Sequence, residues 1–360
     1  MNEFVTPPVL SPTEFDQECL SATNRFVAAN RGLIDKSFWG LRMTTAVNLF
    51  LWHLDSFQKD ENPIPNFVNA FNSASQILEN AKNIDILSGN FPITSEANKP
   101  NYEDMVSGLF SDVWVDMTDD IYFDQTYDFT KERLIKSGVD PVNLFKNKVV
   151  VDAGCGSGKF STAIAKFGAK KVIGIDIGKK GLKFAKEQAK KTEYEERLDY
   201  RFGSLLDIPL DDNSVDMVWS NGVIHHTLGY EACIKEFSRI IKPGGKLFLY
   251  VNGSFGLFEL LQEKIRESIP DIPKPLMQTF LKTLGVDSGR LYWVMDCLYA
   301  PYEYKPKKEV VSLLENNGFT NITQLLRGVS SDQIEQVTTG VPYADVKYGD
   351  SQLKFLCDKN

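Results

Sequence analysis

Asp152 is followed by Gly154, Gly156 and Gly158, and the next apolar run ends in a second carboxylate, Asp176. Without Cβ atoms, glycines let the backbone turn tightly and let a ligand approach its N–H groups. A carboxylate closing the second strand can accept from both hydroxyls of a ribose. The expected ligand therefore carries a ribose, with something compact against the glycines. Two phosphate motifs can be set aside. A phosphate loop needs Gly, four residues, then Gly-Lys-Ser/Thr; here Gly158-Lys159 is followed by Phe160, and Ala153 stands where the first glycine belongs. A dinucleotide fingerprint reads G-x-G-x-x-G, and this turn is spaced G-x-G-x-G. Asp152 would repel a pyrophosphate and suits an ammonium, directly or through water.

The second chemical signal is the adjacent pair His225 and His226, in a chain with only 3 histidines. A neutral imidazole can take a proton from a hydroxyl or an ammonium. Such a pair can equally pack against a sheet or cap a turn. His53, in a helical stretch, reads as structural. No Cys/His set has metal spacing, so no metal is expected. Two segments mix aromatics with acids: Leu109–Phe129, with Trp114, Tyr122 and Tyr127, and Arg290–Tyr304, with Tyr292, Asp296 and Tyr299. Aromatic faces with carboxylates suit a cation, and they suit a flat ring or a sugar as well. Asp112, Asp116, Asp119, Asp120, Asp124 and Asp128 of the first segment, with Asp296 and Glu303 of the second, would favour an amine-bearing or neutral polar ligand if they face a closed pocket. Arg290 and Arg327 stand against that preference.

These residues need a scaffold. From Val149 short apolar runs alternate with helical ones, which predicts a parallel sheet covered on both faces. Seven runs read as strands, beginning "KVVVDAG", "KKVIGIDIG", "LDYRFGSLL", "VDMVWSNGV" and "GKLFLYVNG", and ending "TNITQLLRG" and "SQLKFLCDK". Residues 1–100 show helical periodicity in patches, with proline-marked breaks at Pro63–Pro65 and Pro92. Residues 101–145 form a cover segment and first core helix, 146–251 the ligand-binding core, 252–306 a helical and aromatic insertion, and 307–360 complete the sheet.

Composition sets limits. The chain has 360 residues, 42% hydrophobic and 24% charged, ordinary for a soluble globular protein. No apolar run is long enough to span a membrane. The first residues lack a basic region followed by an apolar one, so no secretory signal is expected. Five dispersed cysteines read as reduced thiols in a cytoplasm. A net charge of −8 weighs against a nucleic-acid partner. A homo-oligomer is left open.

Asp152-Ala-Gly-Cys-Gly-Ser-Gly158, Asp176, the strand Asp216–Asn221 and the turn Lys242-Pro-Gly-Gly245 resemble the class I S-adenosylmethionine-dependent methyltransferases over roughly residues 120–251. The resemblance implies a Rossmann-like, doubly wound α/β fold with a mostly parallel seven-stranded sheet, and S-adenosylmethionine as cofactor. It implies that Asp152, Gly154, Gly156 and Gly158 line the methionine part, and that Asp176 and Ile177 hold the ribose. It places Ser204 and Leu205 at the adenine and Asn221 beside the cofactor. The family often has an acid at the position of Ser204; the Leu205 N–H or Asp207 would then serve. The implied function is methyl transfer, read here as transfer to an amine-bearing or neutral polar small molecule with the N-terminal helices and the insertion as cover; the family's His-His pairs share no catalytic role, so His225 or His226 as base rests on imidazole chemistry alone. A protein or RNA methyltransferase and a non-catalytic cofactor-binding sensor or scaffold are the alternatives.

Overall fold

Valine-rich β1 (Val149–Ala153) lies at the centre of a seven-stranded sheet of order β3-β2-β1-β4-β5-β7-β6. The computed structural model describes residues 17–82, 119–253, 256–286, 288–326 and 342–360. Among these, α1 (Gln17–Arg31), α2 (Trp39–Ser56) and α3 (Pro63–Ala81) come first. A π-helical turn (Asp120–Gln125) leads into α4 (Thr126–Lys136), and α5 (Pro141–Phe145) precedes β1. Then follow α6 (Lys159–Lys166), β2 (Lys171–Asp176), α7 (Lys179–Ala189), β3 (Leu198–Phe202), β4 (Val215–Asn221), α8 (Tyr230–Ile240) and β5 (Ile241–Asn252). Three helices form the insertion: α9 (Leu257–Ser268), α10 (Lys274–Thr283) and α11 (Ser288–Tyr299). The chain closes with α12 (Lys307–Asn316), β6 (Phe319–Gln324), α13 (Ala344–Tyr348) and β7 (Gln352–Lys359).

β1 pairs in parallel with both β2 and β4, so the chain reverses direction across the sheet between β1 and β4. Ligands of open α/β sheets bind beyond the strand ends at such a switch point. β7 runs antiparallel between β5 and β6, the one departure from parallel pairing in this sheet. The fold is the expected α/β class with all seven strands. Some boundaries differ. β3 stops at Phe202, before Gly203, Ser204 and Leu205, which leave the sheet. β5 begins at Ile241 and includes Lys242-Pro-Gly-Gly245, which the composition marks as a turn. Pro63 and Pro65 do not break a helix; they sit in the first turn of α3, capped by the Asn62 side chain on the Ile64 N–H. A first-turn proline loses no hydrogen bond because that N–H has no intrahelical partner.

The sheet carries an apolar layer on each face, one with Val151, Ile175, Phe237 and Leu314, the other with Phe145, Ile164, Trp219 and Phe248. A third core is purely helical. It joins Phe26, Phe50, Phe67 and Phe71 of α1–α3 to Leu261, Ile265, Met277 and Leu298 of α9–α11. Segments far apart in the chain thus share one interior. Arg42 locks them: its buried guanidinium donates to Asn30 Oδ1, to both oxygens of Asp271 and to the carbonyls of Leu33 and Ser268. Among the described residues no helix is long and apolar enough to cross a membrane.

Candidate functional site

The turn after β1 is held by its own chain. The Gly154 and Cys155 N–H groups both donate to the Ile175 carbonyl, at 2.8 and 3.1 Å. Gly154 and Gly158 have φ of 78° and 81°, in the left-handed region. A Cβ on Gly154 would stand 2.4 Å from Val223 Cγ1, and one on Gly158 would stand 2.5 Å from Tyr200 Oη. The missing Cβ atoms therefore make room for Val223 and Tyr200 as much as for any ligand. Tyr122 donates to the Ser157 carbonyl at 2.7 Å and supports the turn from behind.

Asp176 ties the turn to β2. Its Oδ2 accepts the Gly156 N–H at 2.9 Å and its Oδ1 the Gly178 N–H at 2.6 Å. A carboxylate has about four acceptor positions, and the N–H groups of Gly156, Gly178 and Ile177 bond it, which leaves about one for a ligand. Burial pushes the Asp176 carboxyl up, and the N–H bonds from Gly178, Gly156 and Ile177 act against this. Asp152 is buried and accepts from Ser161 Oγ at 2.5 Å. Burial pushes its carboxyl up to about 7, and Ser161 works against that. Ser204 accepts the Leu206 N–H at 3.2 Å, and Leu205 is buried beside it. Asp207 lines a surface groove with Arg201 and Arg239.

Asn221, at the end of β4, accepts from Arg133 Nη1 at 2.8 Å. Arg133 lies over the Phe129 ring at 4.2 Å and near Tyr250 at 5.8 Å. Neither Arg133 nor Lys159 was singled out from the sequence. Lys159 opens α6, and its ammonium lies 5.9 Å from the Tyr292 ring; burial, and next the Arg133 charge, push it down to about 8. Tyr292 belongs to α11 and feels the charges of both Asp296 and Asp176. The insertion therefore reaches the start of α6, directly after the glycine turn.

The histidine pair lies in a 3₁₀ turn, Ile224–His226, and both rings are buried. His225 Nδ1 accepts the Asn252 N–H at 3.2 Å, and the ring stacks on Tyr302 at 5.1 Å. Its proton is thus on Nε2, and it offers no lone pair there. His226 Nδ1 lies 2.8 Å from the Pro301 carbonyl, which fixes Nδ1 as the donor. Its Nε2 faces Asp296 Oδ1 at 3.6 Å. Burial pushes both imidazoles below their ordinary value; for His226, Asp296 and Pro301 act against this. Asp296 Oδ2 accepts from Tyr302 Oη at 2.6 Å, while its buried Oδ1 accepts no hydrogen bond. Burial pushes the Asp296 carboxyl up, against His226, Tyr302 and Arg266. The His225 Nδ1 lone pair thus holds the Asn252 N–H, and His226 Nε2 lies against the Asp296 carboxylate.

The expected aromatic lining divides. Tyr292 and Asp296 face this region. Tyr122 backs the glycine turn, Tyr127 stacks on Phe167 at 4.4 Å, and Tyr299 donates to the Ile272 carbonyl at 3.1 Å. These three are engaged in packing, because an amphipathic segment shows which residues are buried but not against what. Trp114, Asp112, Asp116 and Arg327 lie outside the described residues. Asp119, Asp120, Asp124 and Asp128 are exposed, Asp119 pairing with Lys191 and Asp124 with Lys166. Glu303 pairs with Lys305. Of the eight acids behind the amine preference, only Asp296 among the described ones faces inward. Tyr302 and Arg266 were not singled out. Arg266 donates to the Cys297 carbonyl and Tyr304 Oη and lies 5.0 Å from the Tyr302 ring; nothing in its local sequence marks it. Among the described residues no three of His, Cys, Asp or Glu gather as metal ligands.

Residues 151–249 match the family model described as "Methyltransferase domain". The 27-O-demethylrifamycin SV methyltransferase of Amycolatopsis mediterranei is 31% identical over 122 residues, covering 33% of this chain and 44% of that protein. The ubiquinone biosynthesis O-methyltransferase of Pelagibacter ubique is 32% identical over 119 residues, covering 33% of this chain and 47% of that one. The chain thus spans less than half the length of either curated relative. A crystal structure of geranyl diphosphate C-methyltransferase from Streptomyces coelicolor superposes with a TM-score of 0.40 at 17% identity, over 66% of this chain and 78% of that one.

Proposed function

We infer that residues 151–249, which match the methyltransferase-domain model, are the catalytic domain of a class I S-adenosylmethionine-dependent enzyme. The proposed activity is methyl transfer to a hydroxyl group of a small molecule. The observation that carries it is Asp176, at the end of β2, pinned by backbone N–H groups with acceptor capacity left for a ligand. A carboxylate so placed can accept from a ribose hydroxyl. Gly154, Gly156 and Gly158 form the turn against which the methionine part would lie. Asp152, with Ser161, sits beneath that turn. Ile177, Ser204, Leu205 and Asn221 complete the proposed cofactor-binding set. When bound, the cofactor supplies an electrophilic methyl group on a sulfonium.

The chain's own contribution is alignment and exclusion of water. Bringing two reactants into near-attack geometry is worth several kcal/mol by proximity alone. Tyr292 of α11 closes over the start of α6, and Trp293 beside it packs into the helical core. Two observations favour a hydroxyl acceptor over an amine. Of the curated relatives above, one is an O-methyltransferase by name and the other is named for a 27-O-demethyl compound, and the described acids expected to attract an amine point to solvent, Asp296 excepted. A small molecule is favoured over RNA because the net charge is −8 and duplex or single-strand binding needs a basic track. We place the chain in the cytoplasm on its five cysteines, all of them buried and none in a disulfide.

Three measurements test this. S-adenosylmethionine and S-adenosylhomocysteine should each raise the melting temperature, since ligands selective for the native state do so, while NADH and ATP should not. Asp176→Ala should weaken cofactor binding by roughly 1–3 kcal/mol, the range for losing hydrogen bonds to a charged group. Labelled methyl should then appear in a hydroxyl-bearing component of a fractionated metabolite extract. Label only in protein or RNA would move the chain to macromolecular substrates. Binding with no label in any fraction would make it a cofactor sensor.

A further inference from the structure

Lys159 brings an ammonium to the junction of the glycine turn and the insertion. It follows Gly158 directly and opens α6. Its side chain is half-buried, with Nζ 5.3 Å from the Phe160 ring and 5.9 Å from the Tyr292 ring of α11. Phe160 in turn leans on buried Trp219 of β4. The two ring faces attract a cation, but they neither neutralise it nor match its three N–H donors. Among the described residues this ammonium makes no hydrogen bond and no ion pair. Lys166, at the other end of the same helix, pairs with Asp124.

A second cation reaches the same strand ends. Arg133 lies on α4, which packs against α6, and it is 2% exposed. It donates to Asn221 Oδ1 at 2.8 Å. Parallel pairing sets Asp152 opposite Trp219, so Asn221 is level with Gly154. Arg133 therefore holds its guanidinium at the switch point between β1 and β4, where open α/β sheets take their ligands. Two cations brought to one switch point repel each other, and an anion beside them reverses the sign of that interaction. Lysine and arginine are also the side chains that meet carboxylate and phosphate oxygens with charge-assisted hydrogen bonds.

Resting on the methyl-transfer reading, we propose that Lys159, together with Arg133, receives an anionic group of the acceptor, a carboxylate or a phosphate. The substrate class is then an acidic hydroxyl compound. The acceptor rather than the cofactor is assigned because Tyr292, which walls Lys159, belongs to the insertion, whereas the proposed cofactor positions lie on the strand ends and the turn. Asp119, Asp120, Asp124 and Asp128, which would oppose such a group, are exposed, and Glu303 pairs with Lys305. Asp296 is the inward-facing exception, and its Oδ2 is taken by Tyr302.

The test divides the metabolite extract by anion exchange at neutral pH, before reaction, into an anionic and a non-anionic pool. Labelled methyl should enter the anionic pool. In Lys159→Met, the amount of that pool needed for half-maximal transfer should rise about 10- to 100-fold, the range for a lost hydrogen bond to a charged group. Lys159→Arg should keep most of the transfer. Lys159→Met should melt no lower than the wild type, because an ammonium without an anion gives way to an apolar chain of similar length, and its S-adenosylmethionine-induced melting shift should be unchanged. With S-adenosylhomocysteine bound, the anionic pool should raise the melting temperature of the wild type further, but not that of Lys159→Met. Label confined to the non-anionic pool would overturn the proposal, as would wild-type transfer by Lys159→Met. A lost S-adenosylmethionine shift in that variant would also overturn it, by giving the ammonium to the cofactor's own carboxylate. A lowered melting temperature would do the same, by making the ammonium part of the packing. Label in neither pool, with the anionic melting shift intact, would overturn the methyl-transfer reading and support the anion site; absence of both would overturn both.

Discussion

Gly158 has a left-handed φ of 81°, and a Cβ there would stand 2.5 Å from Tyr200 Oη and 2.8 Å from Ala185 Cβ. The left-handed region costs a non-glycine residue about 1–2 kcal/mol, and overpacking adds about 1–3. Gly158→Ala should therefore destabilise the chain by about 2–5 kcal/mol in urea titration and weaken the S-adenosylmethionine-induced melting shift. A loss confined to cofactor response, with stability kept, would mean that the glycine serves the ligand alone. The spacing of these glycines and the place of Asp176 are legible in the sequence because strand, turn and helix are local. The chemistry of the histidines is not. Adjacent imidazoles look like bases in any sequence, yet which nitrogen carries the proton depends on Asn252 and Pro301, residues 27 and 75 positions away.

Helix docking follows the same division. The helical periodicity of α1–α3 and of the insertion can be read residue by residue, but their partnership cannot. Arg42 makes that partnership explicit. Its side chain is 1% exposed and joins α1 and α2 to Asp271, which is 48% exposed, beyond the end of α9. Arg42→Met should lower stability by about 2–3 kcal/mol, below the roughly 3–5 of a fully buried pair because Asp271 can turn to water. The loss should be accompanied by faster proteolysis within α9–α11, since these helices lose a tie to the N-terminal core. Equal denaturation midpoints for variant and wild type would show that apolar packing alone holds the layers. Pro63 makes a smaller point of the same kind: a proline reads as a break or as a helix start depending on whether an Asn62-like cap engages, and the residue types alone admit both.

Across the whole molecule, the pH dependence of stability is set by buried histidines and carboxyls of opposite sense. His53 is buried, with Nε2 unpartnered, and burial pushes it from its ordinary 6.5 to about 4. The unfolded chain then binds the proton first, so this contribution is present above 6.5 and lost as pH falls toward 4. Asp152, raised from 3.8 to about 7, acts the other way: its contribution is present below 3.8 and lost as pH rises through 7. His53→Leu isolates the first effect. Between pH 7.5 and 5 the wild type should lose about 2 kcal/mol more stability than the variant; equal losses would mean that His53 is hydrated in the folded chain. At this scale the sequence determined the seven strands, the glycine turn and its carboxylate, because strand alternation and a strand–turn–helix unit are specified by neighbouring residues. Only the tertiary structure decided that α1–α3 and α9–α11 share one core, that Tyr122, Tyr127 and Tyr299 pack rather than line a pocket, and that His226 meets Asp296. Those outcomes depend on contacts between residues far apart in the chain, and periodicity shows that a face is buried without naming what buries it.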